Sequence, residues 1–175
     1  MNRSIFRASA VGAAAVAFSG IISVSQSASA AETCTTVENS RIQSMPGAIP
    51  EAQLYVPTCI EALPGGKVRG KAGVNWSFIS DGQSDLTSKR FTSFKVTVRL
   101  KSRVPGGVDT VVGSKTCDVT TRINAAATGD LDCLTVSATL DPKKQWSGDA
   151  TVVYDVEGDS KGSFTWQLTG SPLMG

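Results

Sequence analysis

The chain of 175 residues contains no histidine. That absence removes the commonest general base, and with it any Ser-His-Asp or Cys-His couple. It also removes the commonest metal ligand. None of the four cysteines stands in C-x-x-C spacing, so no metal site and no cofactor are expected. Aromatic residues are few, three Trp, two Tyr and six Phe, which leaves little material for sugar-stacking platforms. Beyond residue 30 there is no convincing amphipathic helix, no internal repeat and no long low-complexity linker. A twin arginine ahead of the first apolar run is also missing, which points away from export of a prefolded, cofactor-loaded protein.

What is present begins with a leader. Met1-Asn2-Arg3-Ser4-Ile5-Phe6-Arg7 is a short basic start, and residues 8–24 form an apolar run of Ala, Val, Gly, Phe and Ile. Ser27-Ala28-Ser29-Ala30 then sets Ala28 and Ala30 at the A-x-A positions of a signal-peptidase site. Ser19, Gly20 and Ser23 interrupt a run rich in Ala and poor in Leu, which disfavours a retained membrane anchor. The sequence therefore predicts a signal peptide over residues 1–30, cleaved after Ala30, and a secreted, extracellular protein exported by the general secretory route. The leader carries Arg3 and Arg7 and no acid, so the seventeen basic and fifteen acidic residues of the chain become fifteen of each. A formally neutral mature protein gives no reason to expect nucleic acid or an anionic membrane as partner.

Export governs the reading of Cys34, Cys59, Cys117 and Cys133. In an oxidising compartment an even number of cysteines suggests disulfides. Of the three possible pairings the sequential one, Cys34 with Cys59 and Cys117 with Cys133, is preferred because each bridge closes a local segment. The first would tie down a Pro-containing N-terminal stretch, and the second would clamp a hairpin around residues 124–132. Closing a loop of about fifteen residues contributes about 3 kcal/mol in the chain-entropy account. A mature domain of about 145 residues can bury one adequate core, so the bridges reinforce folding without replacing that core.

From about residue 68 onward the hydrophobic period is two. Phe94, Val96, Val98 and Leu100 alternate with Lys95, Thr97, Arg99, Lys101 and Arg103, a half-buried strand with a basic outer face. The same alternation groups Val74, Trp76 and Phe78; Cys117, Val119, Thr121 and Ile123; Leu134, Val136, Ala138 and Leu140; Val152, Tyr154 and Val156; and Phe164, Trp166 and Leu168. Turn chemistry separates the runs at Pro64-Gly65-Gly66, Asp81-Gly82, Pro105-Gly106-Gly107, Gly129-Asp130, Asp141-Pro142 and Ser147-Gly148, and residues 157–162 read as a C-terminal hairpin tip. Counting residues 54–56 as a short first strand, about seven strands at this spacing predict an all-β, antiparallel two-sheet sandwich whose body spans residues 67–175. Residues 31–66, with Pro46, Pro50, Pro57 and Pro64, are expected to be an irregular, disulfide-tied segment packed on that sandwich and not a second domain. The order Cys59, Trp76, Cys117 resembles the cysteine–tryptophan–cysteine pattern of immunoglobulin domains. The likeness implies immunoglobulin-like architecture in the broad sense and no function, because neither tyrosine lies two residues before a cysteine. In composition the Ala- and Gly-rich leader and the Thr/Val/Gly/Asp-rich body resemble a small bacterial secreted protein of a GC-rich genome.

Candidate chemistry is confined to charges, one indole and loops. Two carboxylates about 5–9 Å apart suffice for glycoside hydrolysis, and Asp81 with Asp85, Asp130 with Asp132 and Asp155 with Glu157 are the available pairs. Residues 67–122 hold eleven basic residues against four acids, whereas residues 123–175 hold three against seven. The cationic strand face of Lys95, Arg99, Lys101 and Arg103 is therefore either a binding surface or is paired across the sheet to an acidic face at residues 155–159. Trp146, in a predicted turn beside Lys143 and Lys144, is either an exposed ligand anchor or packed on a sheet edge. The expected function is that of a monomeric, non-enzymatic secreted binding protein whose partner is an extracellular protein or a cell-wall polymer. An extracellular protease inhibitor is the alternative, with residues 41–50, 103–109 and 124–132 as candidate loops, and a carboxylate-dependent glycan-active enzyme is the second alternative.

Overall fold

The computed structural model describes residues 31–35, 39–79 and 88–175; the leader, its cleavage site and the Asp81, Asp85 pair lie outside the described residues. The elements in chain order are β1 (Ala31–Cys34), β2 (Ser40–Gln43), β3 (Ala52–Tyr55), β4 (Thr58–Leu63), β5 (Lys67–Phe78), β6 (Phe91–Arg103), β7 (Thr110–Asp118), α1 (Thr120–Ala125), β8 (Thr128–Leu134), β9 (Ala138–Thr139), β10 (Gln145–Val156) and β11 (Phe164–Gln167). They form two antiparallel sheets. One runs β1-β4-β5-β3-β2 with β8 and β9 also on β5, and the other runs β11-β10-β6-β7. The fold is thus the all-β two-sheet sandwich that the alternation predicts, with eleven strands among the described residues in place of about seven.

The extra strands come chiefly from residues 31–66, which are not irregular: β1, β2 and β4 join the short strand expected at 54–56, which is β3. β3 and β4 pair with β5 in one continuous register, from Ala52↔Phe78 and Tyr55↔Asn75 to Thr58↔Ala72 and Leu63↔Lys67. Together they act as one long strand interrupted at Val56-Pro57, where proline has no N–H to offer the ladder. The Pro57 carbonyl still accepts from Gly73 N at 3.0 Å. The reversal is made by Pro64-Gly65-Gly66, with φ of +78° and +66° at the two glycines, a region that only glycine enters without steric cost. Alternation is hidden here because β1 to β3 are each four residues long, too short to display a period.

In the second sheet the alternation holds closely. Phe94, Val96, Val98 and Leu100 on β6 are fully buried, and so are Ala150 and Val152 on β10. Burying each large apolar side chain contributes about 1.5–3 kcal/mol. Phe91, Phe94 and Tyr154 pack with centroids 5.1 to 5.8 Å apart. The interior is divided into a main core and a smaller cluster of Ile60, Val68, Leu100 and Trp146. The division falls at two inward-facing glycines, Gly70 between Val68 and Ala72, and Gly148 between Trp146 and Ala150. There the sheets meet backbone to backbone: a Cβ on Gly148 would stand 2.0 Å from the Cys59 carbonyl oxygen, and one on Gly70 would stand 2.9 Å from that of Arg99.

Three local expectations are corrected. Val119 and Ile123 do not belong to a strand: β7 ends at Asp118, and the two fully buried residues sit four apart on either side of the first turn of α1, while Thr121 faces solvent. A set such as 119, 121, 123 contains an i, i+4 pair, so period alone cannot separate strand from helix. On β8 the inward residues are Leu131 and Cys133, and Val136 is 71% exposed in the segment that follows. Both disulfides form as expected, Cys34–Cys59 and Cys117–Cys133. The second does not clamp a hairpin, however. β7 and β8 belong to different sheets, so it staples sheet to sheet across α1. The first joins directly opposed residues of β1 and β4, with Cα atoms 4.0 Å apart.

α1 is held by polar groups. Asn124 Oδ1 accepts from the N–H groups of Arg90 and Phe91 at 2.8 and 3.0 Å, and its Nδ2 donates to the Phe91 carbonyl at 2.8 Å. The buried Arg90 guanidinium donates to the carbonyls of Ile123, Asn124 and Ala126, and lies 4.1 Å over the Phe78 ring. A cation on the carbonyl end of a helix is favourably placed against its dipole.

Candidate functional site

Trp146 is not an exposed anchor. It opens β10, is 3% exposed within the smaller core cluster, and donates from Nε1 to the Asp141 carbonyl at 3.2 Å. Its backbone pairs with Met174, so the C-terminal segment covers that sheet edge. The basic row of β6 is engaged within its own sheet. Lys101 reaches Asp149 at 2.5 Å and Arg99 reaches it at 4.0 Å, while Arg103 meets Asp109 at 3.8 Å. Lys95 lies opposite Asp118 on β7, whose carboxyl is held below its ordinary pKa chiefly by hydrogen bonds from Thr120, with Lys95 adding to the shift. The acids that neutralise this row are Asp149, Asp109 and Asp118, not the group at 155–159.

One acid of each described pair, Asp132 and Glu157, is likewise drawn into structure. Asp132 bonds Lys71 at 3.2 Å, and Lys71 also meets Glu32 at 3.2 Å and Glu61 at 3.8 Å, with Arg69 bound to the other oxygen of Glu61. Burial pulls Lys71 down, but the hydrogen bonds and charges of Asp132 and Glu32 outweigh it and leave its pKa above the ordinary value. Glu157 is bonded by Lys89 at 2.6 Å and by Thr92 at 2.9 Å, contacts that lower its pKa. Glu32, Cys34 and Cys59 lie close enough to suggest a metal cluster, but both sulfurs are committed to the disulfide and offer no thiolate.

The surface holds two larger hollows. One, of about 490 Å³, lies across β2, β3 and β5, where the outward side chains Ser40, Ile42, Gln53, Tyr55, Asn75 and Ser77 are all uncharged. The other, of about 430 Å³, is the open mouth between the edge strand of each sheet, β2 on one side and β11 on the other, closed at the end by the β10–β11 turn. Apolar Val156, Ile42 and Phe164 line it beside Arg41, Gln43, Tyr154, Asp159 and Lys161. A few convergent polar groups on an apolar lining are what a recognition pocket requires.

Arg41 dominates this cleft. It lies opposite buried Leu54 and so points inward from β2. Its guanidinium stands 4.3 Å over the Phe164 ring and 5.4 Å over Trp166, and Nη1 donates to Tyr154 Oη at 2.8 Å. The Tyr154 hydroxyl in turn donates to Gln43 Oε1 at 2.6 Å. Burial raises the pKa of Tyr154 and the neighbouring Arg41 charge opposes that rise, so the phenol stays protonated as donor to Gln43. Among the described residues no carboxylate pairs with Arg41. The cation is oriented by aromatic faces and a phenol, and among the described residues its remaining donors are unspent. Residues 41–50 contain it, but sequence reasoning took them as an inhibitor loop; that Arg41 meets Phe164 and Trp166 is a contact across more than a hundred residues and leaves no local signal.

Of the other candidate loops, residues 103–109 form the β6–β7 turn, closed by Gly107 N to the Val104 carbonyl at 2.8 Å, with Val108 87% exposed. Residues 124–132 are the end of α1 and most of β8.

No protein-family model matches the chain, and neither the curated proteins nor the solved structures contain a match to it.

Proposed function

We propose that the protein is a secreted, non-enzymatic binding protein whose recognition site is the cleft between β2 and the β10–β11 hairpin. The observation that carries this reading is Arg41, a cation fixed by Phe164, Trp166 and Tyr154 in a hollow of about 430 Å³ and left without a carboxylate partner among the described residues. Two disulfides suit an oxidising extracellular compartment. No helix among the described residues is long and apolar enough to cross a membrane. The leader over residues 1–30, with its site after Ala30, supplies the export signal. The partner on this reading is an extracellular protein or a cell-wall polymer. The test is capture from culture supernatant and from purified cell wall by immobilised protein, with Arg41→Gln and an unrelated secreted sandwich as references. Enrichment of a component by the native protein and its loss with Arg41→Gln is the expected result. Equal recovery on all three supports would overturn the proposal.

A protease-inhibitor reading draws on the β6–β7 turn, where Val108 projects from a braced hairpin and would enter a small apolar specificity pocket with little ordering cost. Titration against subtilisin-, trypsin- and thermolysin-type enzymes decides it, and full activity at equimolar inhibitor would remove it. The glycan-active reading has less support, since Asp132 and Glu157 are each committed to a lysine.

A further inference from the structure

The chemistry of the cleft narrows what it binds, on the reading that it is the recognition site. A guanidinium presents a planar fork of donors that matches a carboxylate in two parallel bonds. In Arg41 one donor is used by Tyr154, the plane is held against Phe164, and no acid in the described structure competes for the remainder. A ligand carboxylate would therefore meet a cation that is already oriented. Asp159 and Lys161 line the same cleft with opposite charges, which leaves Arg41 as its unbalanced cation, a single charge that a monoanionic carboxylate matches and a phosphate dianion exceeds.

The wall beside Arg41 adds a second kind of recognition. In an antiparallel pair the N–H and C=O of one residue point to the same side, and successive residues alternate. The Asn39 carbonyl accepts from Val56 N at 2.9 Å, in register with the Arg41↔Leu54 and Gln43↔Ala52 pairs. Asn39, Arg41 and Gln43 thus turn their peptide groups toward β3, and Ile42 turns its own to the open edge. Among the described residues β2 pairs with β3 alone, and at Ile42 that edge carries an unused donor and acceptor next to the Arg41 fork. The Ile42 side chain, 60% exposed, and Phe164, 44% exposed, give apolar surface on either side.

From these features we infer that the cleft captures the C-terminus of an extended peptide, its terminal carboxylate on Arg41 and its last residues added as a strand along the open edge of β2. Backbone pairing at a free edge supplies affinity that is indifferent to side chains, while the charged terminus fixes register.

The experiment is a titration followed by two-dimensional NMR, with acetyl-Ala-Ala-Val-Ala as free acid, the same peptide as C-terminal amide, and acetate. The free acid should shift the Arg41 Nε–H, the Trp166 indole and the Ile42 amide saturably, with the amide at least ten-fold weaker and acetate weaker than the peptide. Arg41→Gln should bring acid and amide to the same weak affinity. Ile42→Pro removes the outward N–H together with the Ile42 side chain and leaves the β2–β3 bonds intact; measured against Ile42→Ala, which removes the side chain alone, it should weaken the acid peptide a further several-fold without affecting acetate. Equal binding of acid and amide by the native protein would overturn the assignment of the carboxylate. Acetate binding as tightly as the peptide, or an Ile42→Pro no weaker than Ile42→Ala, would overturn the strand. If capture of a natural partner is lost with Arg41→Gln while the acid peptide does not bind, the cleft remains the recognition site and the C-terminal assignment alone fails.

Discussion

Replacing Gly148 by alanine adds a single methyl group at the place where the two sheets touch. The new carbon would lie 2.0 Å from the Cys59 oxygen and 2.8 Å from its carbonyl carbon, both backbone atoms of β4, with no flexible side chain to give way. Relief requires the sheets to part locally by about 1 Å, a gap that forfeits roughly a quarter to a half of the dispersion attraction across it. Overpacking of this kind costs about 1–3 kcal/mol. Gly148 N–H also donates to the Ser171 hydroxyl oxygen at 2.8 Å, and Ser171 N–H donates to the Gly148 carbonyl at 2.8 Å. Loosening those two bonds adds about 1 kcal/mol each. The expected total is about 3–5 kcal/mol, a large part of the 5–15 kcal/mol that holds a typical domain. Urea unfolding should show a midpoint lowered by about 2 M at unchanged slope. Gly113→Ala is the reference, because its added carbon would meet Val136 Cγ2 at an ordinary 3.5 Å on exposed β7. A Gly148→Ala midpoint no lower than that of Gly113→Ala would refute the claim that the backbones are in contact there.

Removal of the inter-sheet bridge by Cys117→Ala with Cys133→Ala should cost about 3 kcal/mol, the chain-entropy value for a loop of this size, read as the shift in calorimetric midpoint against the native disulfide form. Lys71→Met should destabilise at neutral pH, measured by denaturant unfolding across a pH series. Because the folded pKa is raised above the ordinary 10.5, the stabilisation is fully present below that value and is lost as pH rises through the raised one, so the two proteins should converge in strongly alkaline solution. Trp146→Ala should cost about 3–5 kcal/mol through the cavity it leaves, yet leave peptide binding at the Arg41 cleft unchanged in the NMR titration. Acrylamide should quench Trp166 while Trp76 and Trp146, 5% and 3% exposed, remain shielded in single-tryptophan proteins.

The sequence was most legible where one face of a strand is wholly buried and the other wet. On β6 from Phe94 to Leu100 and on β10 from Val152 to Val156 the inward sets are those the period selects, whereas Trp146 and Ser147-Gly148, read as a turn, lie within β10. β7 gave no such signal, because its residues are exposed on both faces, and the period ran on through Val119 into a helix. Gly148 was read as turn chemistry and Gly70 gave no signal, though each sits mid-strand; only the facing sheet explains them. The cysteine pairing was legible because loop closure is a local quantity, but which sheets the bridges join depends on the whole topology. The basic row lies along one face of β6 where the period places it, but the acids that meet it were not foreseen. Cross-strand neighbours such as Arg99 and Asp149 follow from register, which cannot be counted along one strand.

β5 pairs with β4, β3, β8 and β9, and this crowding sets an order of assembly. Its ladder with β3 and β4 closes over three residues, whereas its ladder with β8 must close over a span of more than fifty. Loop closure before reward makes the second slower. A chain that emerges N-terminus first would thus have its first hairpin available before the last strands have appeared, and that hairpin exposes the edge on which β8 will later seat. With both edges occupied in the finished molecule, the amides of β5 should be the last to exchange with solvent, at a free energy approaching that of global unfolding.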